Sequence, residues 1–183
     1  MKTIQIISIT FCLLLAVMSF KQKDSEKQTI YEGNSVGQLQ IGMTKTQVDS
    51  ILQMTPEKIE WTNHSFEYKY KKKGLSVYVL QNDTAQRVFS ITVFPEKWKG
   101  TTSKGLKVNK KLKIKDVIKV YGEPKWGFTT DCSELDAEYY DIAIYFSVDT
   151  ISGICDETEF NLDSLYLNKK VTELTIGKIG TDY

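Results

Sequence analysis

The chain repeats itself, and a duplication narrows the folds open to 183 residues more than any single motif does. The segment Leu39-Gln40-Ile41-Gly42-Met43-Thr44, running on to Val48, Ile51 and Leu52, has a counterpart in the second half. There Leu106-Lys107-Val108-Asn109 leads, after two additional lysines, into Leu112 and on to Val117, Val120 and Tyr121. Met43, Val48, Ile51 and Leu52 thus align with Leu112, Val117, Val120 and Tyr121, at the spacing of one apolar helical face. Thr44 stands where an N-cap hydroxyl can accept from an early backbone N–H. Pro56 stops the first helix and Gly122-Glu123-Pro124 the second.

Strand patterns follow each helix. Leu75-Ser76-Val77-Tyr78-Val79 matches Ile142-Ala143-Ile144-Tyr145-Phe146, and Val88–Val93 matches Val171–Ile176. An aromatic stretch precedes each pair, at Phe66–Tyr70 and at Glu138-Tyr139-Tyr140. Eight residues separate Val79 from Val88 but 24 separate Phe146 from Val171, which places an insertion near 149–170. The expected fold class is therefore α+β. Two tandem αβββ repeats, over 36–98 and 102–179, form an antiparallel sheet with the helices packed on one face.

The Leu-x-Ile-Gly-Met-Thr opening, the apolar helix, the proline stop and the meander resemble the tandem-repeat β-lactamase inhibitor proteins. They are similar also to the small outer-membrane lipoproteins of the SmpA/OmlA type. The specific match spans about 15 residues in each copy, at the helix and its approach. Asn109 stands in place of the glycine in the second copy, and Met54-Thr55 precedes Pro56 without one in the first. The resemblance implies helices on one side of a sheet, with the other side or the loops binding another protein.

An address precedes the repeats. Met1-Lys2 and an apolar run from Ile4 to Val17, broken by Gln5, Ser8 and Thr10, have the layout of a secretory signal peptide over 1–19. Val17 and Ser19 suit the positions before a cleavage site, and a flexible linker is expected over 20–35. Retention of the run as an anchor is the alternative, and the chain would meet a membrane only in that case. The expected location is periplasmic or secreted. Cys132 and Cys155, the pair beyond the leader, read there as a disulfide.

Chemistry has few candidates. Lysine and arginine number 24 against 23 acidic residues, a balance that excludes a globally basic nucleic-acid binder. His64 is the single histidine, in the mostly polar stretch Trp61-Thr62-Asn63-His64-Ser65, which reads as a solvated loop. No phosphate loop, metal-ligand motif or nucleophile elbow is present, so no catalytic residue, metal or cofactor is assigned. Charge is nonetheless segregated. Ten lysines lie between Lys97 and Lys125 against Asp116 and Glu123, and ten acids lie between Asp131 and Asp163 with no Lys or Arg. Such blocks steer association with a charged partner, although lysines on the solvent face of the second helix would give the same count.

If Leu75, Val77 and Val79 face the helices, Ser76 and Tyr78 face away, as Tyr145 and Thr92 do in their strands. Tyr78, Tyr145, Ser76 and Thr92 are thus the expected partner-binding surface, a tyrosine platform with small neighbours. The function expected is an exported protein-binding module, an inhibitor or assembly factor of the cell envelope whose partner is an extracytoplasmic protein. The alternative is a small extracytoplasmic hydrolase or a ligand-binding domain with a pocket between the repeats.

Overall fold

The computed structural model describes residues 28–62, 64–128, 134–149 and 164–177. The first helix, α1 (Lys45–Leu52), is followed by four strands, β4 (Glu57–Thr62), β5 (Ser65–Tyr70), β6 (Leu75–Leu80) and β7 (Val88–Val93). The second, α2 (Ile114–Tyr121), is followed by β10 (Lys125–Phe128), β11 (Glu134–Tyr139), β12 (Ile144–Asp149) and, after a one-turn helix α3 (Ser164–Leu167), β13 (Glu173–Gly177). Both sets are antiparallel meanders. They join through their last strands, in the order β10-β11-β12-β13-β7-β6-β5-β4. At that seam Leu174 pairs with Val93, Thr175 with Thr92 and Ile176 with Ile91.

A second sheet of five short strands is mixed: β3 (Leu39–Gln40), β2 (Ser35–Val36), β1 (Thr29–Tyr31), β8 (Gly100–Thr102) and β9 (Lys107–Val108), in that order. Its β1 and β8 run parallel, and the other pairs are antiparallel. Ile30, Val36, Leu39 and Val108 from this sheet join Val48 of α1 and Ile114 and Val117 of α2 in one buried core. The large sheet contributes Tyr70, Val77, Ile91, Ile144, Phe146 and Leu174 to the same core.

The α+β expectation is corrected by this arrangement. The chain is mostly β, and its two eight-residue helices are minor elements rather than a covering layer. Size explains why. A helix of eight residues is about 12 Å long, whereas eight strands span about 34 Å. The expected αβββ unit also lacks one strand. The missing strands, β4 and β10, are the two outer edges of the large sheet, each beginning directly after a proline stop, at Pro56 and Pro124. Nor do residues 29–36 behave as linker, since they form β1 and β2 around a fully buried Ile30.

Local chemistry sets the helix ends. Thr44 is the N-cap of α1: its Oγ1 accepts from Gln47 N at 3.3 Å, and its own N–H donates to Gln47 Oε1 at 2.8 Å. The helix closes on Gln53, which adopts a left-handed φ of 52° ahead of Pro56. In α2 no side-chain cap is present; the Asp116 carboxylate instead accepts from Lys113 N at 3.2 Å. Ile142 and Ala143 fall in a 3-10 turn and its left-handed exit, so β12 begins two residues later than the repeat pattern suggests.

Candidate functional site

The polar face of the large sheet holds the residues singled out from the sequence. Lys69, Ser76, Thr92, Thr175, Tyr145, Glu138 and Lys125 are successive register partners, one row across seven strands. Tyr78 lies in the neighbouring row, between Glu67 and Ser90. Strand alternation therefore places all four expected residues opposite the apolar core. The exposure expected of them is corrected, however. Ser76, Thr92, Tyr145 and Tyr78 are 0%, 2%, 5% and 8% exposed, too little for a docking surface.

The hydroxyls of Ser76 and Thr92 are committed inside the protein. Ser76 Oγ donates to Glu67 Oε1 at 2.6 Å, and the hydroxyls of Thr92 and Thr175 meet at 2.7 Å across the seam. The Tyr78 ring rests against Phe89, and Tyr145 packs edge-on against Tyr140. Burial and the carboxylates of Glu134, Glu67 and Asp136 push Glu173 up to about 7, with Lys69 opposing. Burial likewise raises Asp136, whose Oδ1 is enclosed without a hydrogen-bond partner.

The exposed chemistry lies at one end of the seam. There the start of β6, the end of β7, the end of β12 and the approach to β13 enclose a cleft of about 690 Å³. Six lysines line it: Lys69, Lys71 and Lys97 from the first half, and Lys110, Lys169 and Lys170 from the second. Against them stand two described lining carboxylates, Glu96 and Asp149. Lys71 Nζ lies 2.5 Å from Glu57 Oε2, and Lys69 Nζ lies 3.4 Å from Glu67 Oε1. Among the described residues, no carboxylate pairs with Lys97, Lys110, Lys169 or Lys170.

Short-range geometry positions these ammonium groups. Lys97 N and Trp98 N both donate to Phe94 O at 2.9 Å, which closes the turn after β7. Gly74 (φ +64°) lies directly beneath that turn, and Phe94 N donates to Gly74 O at 2.9 Å. On the other wall, Ile114 N donates to Lys169 O at 3.2 Å and Val171 N to Leu112 O at 3.0 Å. The approach to α2 thereby pins Lys169 and Lys170 at the rim. Phe94 supplies an aromatic side, with Lys69 Nζ 5.9 Å from its ring centre.

Sequence reasoning flagged two of the six cleft lysines. The lysine block from Lys97 to Lys125 contributes Lys97 and Lys110, while Lys69, Lys71, Lys169 and Lys170 arrive through the register of β5 and the approach to β13. His64 is exposed in the β4–β5 turn and is absent from the residues lining the cleft. Cys132 and Cys155 lie outside the described residues.

No family model matches the chain, and no curated protein matches it. Solved structures show the fold elsewhere. The uncharacterised protein YfeY from Escherichia coli aligns over 82% of this chain and 99% of its own length, with 12% identity and a TM-score of 0.54. YjgB from Bacillus subtilis, a DUF4309 family protein, aligns over 85% of this chain and 93% of its own, with 12% identity and a TM-score of 0.47. At such identities the likeness to YfeY shows a shared fold and nothing further.

Proposed function

We propose that this chain is an extracytoplasmic binding module that captures an acidic segment of a partner protein in the lysine-lined cleft between its two halves. The observation that carries this reading is one concave site that gathers Lys97, Lys110, Lys169 and Lys170, none paired with a carboxylate among the described residues, against only Glu96 and Asp149, in a chain whose formal net charge is only +1. Gathering like charges costs the folded chain free energy, and an anionic partner offsets that cost. Export rests on the N-terminal apolar run with its basic start and small residues before Lys21. The resemblance to envelope binding proteins agrees with a partner there.

A compact polyanion is the second reading, favoured by the cleft volume, which falls within the range of small-ligand sites. Titration calorimetry of the full chain with a four-residue acidic peptide tests the main reading. The Lys97→Glu/Lys170→Glu double variant is expected to weaken binding about tenfold or more. Binding is also expected to weaken steeply with added salt. Equal affinity for wild type and double variant would remove the cleft from consideration.

A further inference from the structure

The cleft does not end at Lys110. A second groove, of about 460 Å³, begins at the same residue and is lined by Lys99, Lys107, Lys110 and Lys111. No described residue lining it carries a negative charge. We propose that the docking segment is an extended acidic peptide that leaves the first cleft over Lys110 and continues through this second groove. The inference rests on the reading of the first cleft as a partner site and specifies the partner's shape and chemistry.

One turn builds the junction. Asn109 Oδ1 accepts from Lys111 N at 2.9 Å, and Asn109 O accepts from Leu112 N at 2.9 Å. Buried Val108 and Leu112 anchor the turn on either side, so Lys110 and Lys111 stand exposed on a fixed ridge between the two hollows. Across the groove, Lys107 pairs in register with Thr101, one residue after Gly100. A side chain at Gly100 would collide with Gln28 O at 2.0 Å and with the Trp98 ring at 2.3 Å. That close approach carries the chain from the rim of the first cleft, at Lys97, to the floor of the second.

An extended peptide suits two joined hollows because its side chains on one face recur about every 7 Å, and acidic ones can meet lysines along the whole path. A compact anion would leave the second set of lysines unmatched. Nucleic acid fits less well. Phe94 is the one aromatic side chain among the described residues lining either hollow, so bases find no stacking platform. Glu96 and Asp149 can accept from a peptide's backbone N–H groups, donors that a phosphate backbone lacks.

Fluorescence anisotropy with labelled acidic peptides of four and twelve residues tests this on the full chain. The longer peptide is expected to bind about tenfold more tightly. Lys107→Glu/Lys111→Glu should abolish that advantage while leaving the four-residue peptide unchanged. Lys97→Glu/Lys170→Glu should weaken both peptides. Circular dichroism checks that each variant folds, and Lys107→Gln/Lys111→Gln replaces the reversal if it does not. If the second-groove variant binds the longer peptide like wild type, the extended path is wrong and the first-cleft site still stands. If triphosphate or a single-stranded oligonucleotide displaces the longer peptide better than unlabelled peptide does, the peptide assignment is overturned. Binding of neither peptide would overturn both readings.

Discussion

Gly74 and Lys97 touch so closely that a Cβ built on the glycine would lie 2.6 Å from the Lys97 Cβ and 3.1 Å from its carbonyl carbon. With φ at +64°, the position excludes side chains on two independent grounds. Both obstacles are backbone or backbone-proximal, so they cannot swing aside. Gly74→Ala is therefore expected to destabilise the fold by about 1–3 kcal/mol and to weaken acidic-peptide binding by displacing Lys97. Urea unfolding and a parallel binding titration check the two effects. An unchanged midpoint would show that the turn after β7 is softer than described.

The seam between the two meanders makes a separate forecast. Thr92 and Thr175 satisfy each other in a buried hydrogen bond. Thr92→Val alone should cost about 1–3 kcal/mol, because it strands the Thr175 hydroxyl. Thr92→Val/Thr175→Val should cost less than the sum of the two single losses, because the Thr175 hydroxyl is no longer stranded, although the Tyr78 hydroxyl still loses its bond to Thr92. A double-mutant cycle by chemical denaturation measures the coupling. Additive losses would mean that the hydroxyls do not depend on each other.

Glu173 makes stability depend on pH. Its carboxyl rises from the ordinary 4.5 to about 7 through burial and the charges of Glu134, Glu67 and Asp136, against Lys69. Folded protein thus holds this proton more tightly than unfolded protein does. The resulting stabilisation is complete below about pH 4.5 and is lost as pH rises to about 7. Glu173→Gln is expected to be more stable than wild type at pH 8 by about 2 kcal/mol, with the gap closing toward pH 5. Thermal melts of both proteins across that range provide the check. A gap that widens on acidification would reverse the assigned sign.

For the cysteines, the export proposed here implies a Cys132–Cys155 disulfide in protein recovered from outside the cytoplasm. A closed loop of that length would add about 3 kcal/mol through the chain-entropy effect. Mass spectrometry after alkylation, with and without prior reduction, should find no free thiol at either position in the unreduced sample. Two alkylated cysteines there would argue against both the bond and the compartment.

Single elements, rather than the fold class, were written in periodicity. The apolar faces at Val48 and Val117, the cap at Thr44 and the alternation of Leu75, Val77 and Val79 all follow from side-chain spacing, and the structure has each of them. Edge strands β4 and β10 escaped because each begins directly after a proline stop and offers only two alternating apolar residues, and the second sheet escaped because strands of two or three residues carry no period. The site was less legible. Alternation gave the direction of Tyr78 and Tyr145 correctly but carried no information on what closes over them. Lys71 and Lys170 are 99 residues apart in sequence and share a cleft only because β7 and β13 pair.

Mapping amide shifts by NMR during titration with the twelve-residue acidic peptide tests the cleft most directly. The account predicts saturable shifts concentrated at 94–101, 107–112 and 168–172, the three segments that carry Lys97, Lys99, Lys107, Lys110, Lys111, Lys169 and Lys170. Shifts concentrated instead around Ser76, Tyr78 and Thr92, or absent at saturating peptide, would contradict it.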